Sequence, residues 1–196
     1  MCRRWMRTST WTSRRWLSRE SRVRYHALPV IVLGIDPGTA ITGYGVVRAD
    51  EGRPSHLVEC GVIRTSPRAP LASRLNDIFD GVTELIERHH PDALAVEDVF
   101  YARNVRTTVV LGHARGVVLL AGARAGMTVH EYAPALIKKT VVGRGAATKE
   151  QVQFMVARLL RLKNAPQPSD AADGVACALT CILSAGTAKL HLLVAG

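Results

Sequence analysis

V-I-V-L-G-I-D-P-G-T-A-I-T-G-Y-G-V-V-R, residues 30–48, decides the architecture. Its first seven residues, Val30–Asp36, are an almost unbroken β-branched and aliphatic run, the pattern of a strand covered on both faces. The run closes on an acid, and Pro37-Gly38 then turns the chain. Thr42–Arg48 resumes in strand-forming residues after a short loop, so the two segments predict a hairpin.

Leu57–Thr65 reads as a third strand. Leu71–His90 carries apolar residues at 71, 75, 78, 79, 82, 85 and 86, a helical stripe closed by Pro91. Ala93–Val96 is a short buried strand that again ends on an acid, Glu97. A helix is predicted over Thr107–Ala125, with glycines that would permit close packing, and a strand over Thr128–Glu131. Pro134–Thr140 starts a short helix, and Gly143–Ala147 is a loop carrying Arg144. Lys149–Leu162 is a helix, Pro166-Gln167-Pro168 a linker, and Ser169–Ser184 an Ala-rich helix. A three-strand meander followed by alternating helices and strands predicts an α/β fold, a mixed central sheet flanked by helices on both faces. Residues 30–185 are expected to form one domain, with 186–196 a short tail.

The charge is unevenly placed. Residues 1–29 hold eight arginines and one glutamate, +7 of the formal +10, so residues 30–196 carry only +3. All three tryptophans, Trp5, Trp11 and Trp16, also lie in that leader. It has no apolar core of a secretory signal. Its Arg/Ser/Thr composition loosely suits a transit peptide or a phosphate-binding basic arm. The plainest reading is an upstream stretch foreign to the natural protein, which would start at Val30. Disorder is expected on each reading. No apolar run is long enough to span a bilayer. Cys2, Cys60, Cys177 and Cys181 form no C-x-x-C pair, so neither a zinc site nor a disulfide framework is indicated. Buried cysteines fit a reducing cytoplasm, the expected location.

Four acids stand in suggestive places: Asp36 and Glu97 at strand ends, and Asp170 and Asp173 three apart near a helix start. Acids at the carboxyl ends of strands project into the crevice where α/β proteins bind ligands. Each has a plain alternative. Asp36 suits a turn before Pro-Gly, Glu97 a solvated strand end, Asp170 a helix cap and Asp173 a first-turn charge. Taken together they would repel one another without cations. Two Mg²⁺ ions would relieve that, since Mg²⁺ favours oxygen ligands and paired metals suit phosphodiester hydrolysis.

G-I-D-P-G-T-A-I-T-G-Y-G-V (34–46) resembles the opening hairpin of the RuvC Holliday-junction resolvases. A-V-E-D-V-F (95–100), L-G-H-A-R-G (111–116), T-V-V-G-R-G-A-A-T-K-E-Q-V (140–152) and S-D-A-A-D-G-V-A (169–176) resemble four further family motifs, in order, and the resemblance spans about residues 30–185. It implies an RNase H-like fold and a homodimer that nicks opposed strands of four-way junction DNA in recombination and repair. It implies that Asp36, Glu97, Asp170 and Asp173 are the catalytic, metal-binding tetrad. Two Mg²⁺ per site are expected, with Mn²⁺ as substitute, and RuvA and RuvB as branch-migration partners. Phe100 matches an aromatic that engages bases at the crossover, and Lys138 and Lys149 match basic residues near the scissile phosphate, Lys149 offsetting transition-state charge. Arg103, Arg106, Arg115 and Arg144 are candidate phosphate contacts. His113, beside Gly112, reads as structural, and Asp98 as facing away from Glu97. Gly174 departs from the family pattern, which has Ala there, and a glycine inside a helix weakens it by roughly 1 kcal/mol.

Three rival classes share parts of this pattern. Another RNase H-like nuclease, acting on RNA, would share Asp36 and Glu97. A sugar-kinase type phosphotransferase would need a second domain. A non-catalytic junction-binding module would gain nothing from four acids facing phosphates.

Overall fold

The computed structural model describes residues 29–50, 52–98 and 105–185. Five strands and five helices follow in the order β1 (Val30–Asp36), β2 (Ile41–Ala49), β3 (His56–Arg64), α1 (Leu71–His89), β4 (Ala93–Glu97), α2 (Val105–Arg124), β5 (Thr128–Tyr132), α3 (Pro134–Val142), α4 (Lys149–Leu159) and α5 (Ser169–Ala185). The sheet order is β3-β2-β1-β4-β5. β1, β2 and β3 pair antiparallel, while β4 pairs parallel to β1 and β5 parallel to β4. The mixed direction follows from the connections: short loops join the meander, and helices must carry the chain back between parallel strands.

The strand pleat divides the core. Leu33, Ile35, Leu94 and Val96 pack on one face with α1 and α2 residues such as Ile78, Val82 and Val118. Val30, Val32, Ala93 and Ala95 pack on the other with α3, α4 and α5. Helix α5 lies inside that second layer, where every residue from Val175 to Ile182 is buried. A helix covered on nearly all sides cannot carry long polar side chains, which accounts for its Ala, Gly, Cys and Thr composition. Its one buried hydroxyl in that run, Thr180, donates to the Ala176 carbonyl at 2.8 Å. The buried Cys177 and Cys181 are small core residues here, as expected.

Two sequence expectations shift. Helix α4 ends at Leu159 rather than 162, because Arg161 turns left-handed (φ 55°) and Leu162 N–H bonds back to the Ala157 carbonyl at 2.8 Å. Leu162 then packs on the core from beyond the helix, so it extends the apolar stripe without being helical. The glycines of α2 divide as well. Gly122 sits against Leu94, but Gly112 and Gly116 face open space, so only Gly122 serves close packing.

Candidate active site

Register alone brings two acids together. Ile35 pairs with Val96 across the parallel β1–β4 ladder, so the next residues, Asp36 and Glu97, end adjacent strands side by side. Ile35 and Val96 belong to the α1/α2 core. The alternation of the pleat therefore sends Asp36 and Glu97 to the opposite face, toward α5. Asp98, one residue further, points back the other way and pairs with Arg115 of α2 at 3.3 Å.

Helix α5 supplies the other acids from its first turns. Oxygens of Asp36, Asp170 and Asp173 lie within 4.8 Å of one another, and among the described residues this is the one such grouping of potential metal ligands. Glu97 stands outside that tight group but lines the same cavity, of about 230 Å³, with Asp36, Asp173, Lys138 and Lys149. Lys149 Nζ reaches Asp173 Oδ2 at 2.7 Å. It is held there by the N-terminal turn of α4, where Thr148 and Gln151 cap each other's backbone N–H groups.

The electrostatics follow from crowding negative charge in a half-buried cleft. Burial, then the charges of Asp173 and Asp170, push the Asp36 carboxyl up to about 6, against a smaller opposing pull from Lys149. Burial and then Asp36 and Asp173 push Glu97 up to about 8, with Lys138 and Lys149 opposing. Asp173 is raised by burial, with the Lys149 contact pulling it back. Burial lowers the Lys149 ammonium's pKa, but its bond to Asp173 and the neighbouring acids raise it further, so the net shift is upward. Burial, then the nearby Glu97 and Asp36, hold the Cys177 thiol well above its usual range, so it stays neutral.

The donor set is carboxylate oxygen throughout, unneutralised except by Lys149 and Lys138, and open to solvent on one side. That chemistry fits a hard divalent cation and excludes a thiolate-type site. Asp36 and Glu97 are raised by burial first and by the neighbouring acids second, and a bound cation would favour the ionised form of both.

A family model described as crossover junction endodeoxyribonuclease RuvC matches residues 32–181. The chain belongs to the RuvC family. It is 53% identical over 148 residues to the RuvC of Halorhodospira halophila, covering 76% of this chain and 87% of that one. It is 47% identical over 150 residues to the RuvC of Pelotomaculum thermopropionicum, covering 76% and 91%. Among solved structures, Thermus thermophilus RuvC in complex with a Holliday junction substrate aligns with a TM-score of 0.76 and 39% identity, over 82% of this chain and 97% of that one. The yeast mitochondrial Holliday junction resolvase aligns with a TM-score of 0.60 at 16% identity, a likeness of fold alone, over 83% of this chain and 81% of that one. The RNase H-like α/β architecture expected from the motifs is therefore that of a RuvC-family chain. No helix among the described residues is long and apolar enough to cross a membrane.

The structure sorts the remaining sequence candidates. Lys138 and Lys149 both line the acidic cavity. Arg144 is exposed and lines a separate cleft with Phe154 and Met155. Arg106 is exposed at the start of α2. Phe100 and Arg103 lie outside the described residues. Arg115 is paired with Asp98 and Glu131. His113 is exposed on α2. What sequence reasoning misses is the glycine contact beneath α5. Gly43 and Gly174 are visible as residues, but nothing in their spacing says that they meet a backbone from elsewhere.

Proposed function

We propose that Asp36, Glu97, Asp170 and Asp173 form the catalytic centre of a Holliday-junction resolvase and hold two Mg²⁺ ions, with Mn²⁺ as a substitute. The carrying observation is that Asp36, Glu97 and Asp173 line one cavity with two lysines, and Asp170 groups with Asp36 and Asp173 beside it. Bound cations would supply an activated water and stabilise the leaving oxygen of a phosphodiester. The chain's own residues do the rest. Asp36 and Glu97, set on neighbouring strands, form a rigid base for the site. Asp170 and Asp173 close it from the helix. Lys149 stands where a phosphate would enter, ready to donate a hydrogen bond to a non-bridging oxygen and offset its growing charge. Lys138 adds positive charge at the same rim, and Arg106 and Arg144, with Phe100 and Arg103, are proposed to hold the junction arms and crossover bases outside it.

Paired nicking needs two active sites, and α2 offers the surface for it. Val105, Val109 and Leu120 are exposed large apolar side chains, and Gly112 and Gly116 have nothing within 4 Å of where a Cβ would be. Val109, Gly112, Gly116 and Leu120 recur at helical spacing on one face. Self-association through that face makes a two-fold dimer, which matches the pseudo-two-fold of a four-way junction. Residues 30–185 act as the resolvase domain, in the cytoplasm, with RuvA and RuvB as branch-migration partners.

The test is a nicking assay with a labelled four-way junction with a mobile core, in Mg²⁺ or EDTA, beside Asp36→Asn and a linear duplex. Paired nicks on opposed strands, dependent on Mg²⁺ and lost in the variant, are expected. Binding without cutting across several core sequences would sink the enzyme reading. Preferential cutting of RNA or linear duplex would move the chain to a different nuclease activity.

A further inference from the structure

Arg48, Arg88 and Arg115 pair with acids. Arg74, in the first turns of α1, pairs with none among the described residues, yet it is half-buried and anchored. Its Nε donates to the Thr39 carbonyl and to Thr65 Oγ1, each at 3.1 Å. Thr65 is buried, and its hydroxyl donates to the same Thr39 carbonyl at 2.5 Å. The two terminal nitrogens of Arg74 make no hydrogen bond among the described residues. The Nε bonds set the plane of the guanidinium. The fork that remains suits two oxygens of a phosphate.

Thr39 belongs to the loop that leaves Asp36. That loop is held at each residue after Pro37. Thr42, fully buried, donates to the Gly38 carbonyl at 2.7 Å, and the Thr65 N–H donates to the Ala40 carbonyl at 3.1 Å. Thr39 is three residues beyond Asp36, so their Cα atoms lie within about 11 Å of each other. Arg74 therefore stands at the sheet edge that bears the acids. It comes from the layer of α1, whereas Lys138 and Lys149 come from α3 and α4 across the sheet. Residues 62–74 hold Arg64, Arg68 and Arg74 and no acid, and Arg64 and Arg68 are exposed. Positive charge thus borders the acidic cleft from both layers, as a polyanion crossing it requires.

We propose that Arg74 is a phosphate-binding residue for the strand that is cut. The Thr39 carbonyl and the Thr65 hydroxyl hold its Nε, and its free fork grips a phosphate close to the scissile one, across the strand ends from Lys149. The inference rests on the reading that four-way junction DNA is the substrate.

The experiment is equilibrium binding of a labelled four-way junction in Mg²⁺ over a series of NaCl concentrations. The parent is the full chain carrying Asp36→Asn, which binds without nicking. Arg74→Gln and Arg74→Lys are added to it in turn, beside Arg53→Gln, an exposed arginine between β2 and β3 at the far edge of the sheet. Arg74→Gln should weaken binding by about tenfold or more and make the slope of log affinity against log salt shallower by about one for each protomer bound. Arg74→Lys should restore the slope but only part of the affinity, because an ammonium keeps the charge and lacks the fork. The control should leave both unchanged. An Arg74→Gln protein that folds and keeps the parent's slope overturns the contact, because a clamp that only holds the loop leaves the number of bound phosphates as it was. So does a control that flattens the slope as much. Should Arg74→Gln fail to fold, Arg74→Lys decides, with junctions bearing single uncharged methylphosphonates around the cut. One neutral linkage should then weaken the arginine protein more than the lysine protein, and equal losses at every position overturn the contact. A parent that binds no junction overturns the junction reading and the contact with it, whereas a binding parent whose slope Arg74→Gln leaves unmoved overturns the contact alone.

Discussion

Asp36→Asn should make the metal-free protein more stable while abolishing nicking. The folded Asp36 carboxyl is raised from 3.8 to about 6 by burial and by Asp173 and Asp170. A tenfold weakening of an acid corresponds to about 1.4 kcal/mol, so ionised Asp36 destabilises the fold by up to about 3 kcal/mol. For an acid whose folded pKa is raised, the folded state holds the proton more tightly than the unfolded chain does. Stability is therefore lost as pH rises from about 4 through about 6. At pH 8 the full penalty is present in wild type and absent in the isosteric amide. Allowing for repacking, Asn should gain about 1–3 kcal/mol, a Tm increase of roughly 3–10 °C for a domain of this size. The assay is urea or thermal unfolding in EDTA at pH 8, 6 and 4, beside nicking in Mg²⁺. The advantage of Asn should shrink between pH 6 and 4, and Mg²⁺ should stabilise wild type more than the variant. An Asn variant no more stable than wild type at pH 8 in EDTA, or an advantage that persists unchanged at pH 4, would refute the reasoning.

The other expectations come from the same geometry. Mg²⁺ must displace protons from Glu97, raised to about 8, and Asp36, raised to about 6. Half-saturation should therefore tighten from pH 6 to 8, by up to about tenfold per pH unit for each proton released; a flat titration would contradict the shared site. Lys149→Met removes the ammonium now paired with Asp173 at 2.7 Å. Nicking at saturating Mg²⁺ should fall by about 10²–10³, with no weakening of Mg²⁺ binding, because a competing cation has gone; a weaker Mg²⁺ midpoint would assign Lys149 to ligand support instead. Gly116→Arg places a long cation on the open face of α2 and should yield a monomer in sedimentation that still binds Mg²⁺ but no longer nicks opposed strands in one encounter. A variant that remains a dimer would move the interface elsewhere.

Much of the fold is legible in the sequence because local periodicity carries it. The aliphatic run Val30–Asp36 and the stripe of Leu71–His89 each state their own burial, and the observed ends differ by a residue or so. The end of α4 is not legible in this way, because Leu162 packs on the core while lying past a left-handed turn, and periodicity records burial rather than backbone angle. The surroundings of Arg115 and His113 are hidden from the sequence for a related cause. A charge or ring on a helix shows its type in the sequence, but its partner depends on what the facing element presents, here Asp98 and Glu131 for the arginine and solvent for the histidine.

The chemistry available is written in the amino-acid order: which strands end in acids, which acids share a helical face, and that the donors are oxygen. These are properties of adjacent residues and short spacings. That the acids meet is a property of the fold: β1–β4 register sets Asp36 beside Glu97, and the placement of α5 brings Asp170 and Asp173 to Asp36 from more than 130 residues away in the chain. Such long-range approaches are invisible in adjacent residues: the α5 backbone at Asp170 lies directly over Gly43 of β2, and nothing in the spacing of either segment states that the two meet.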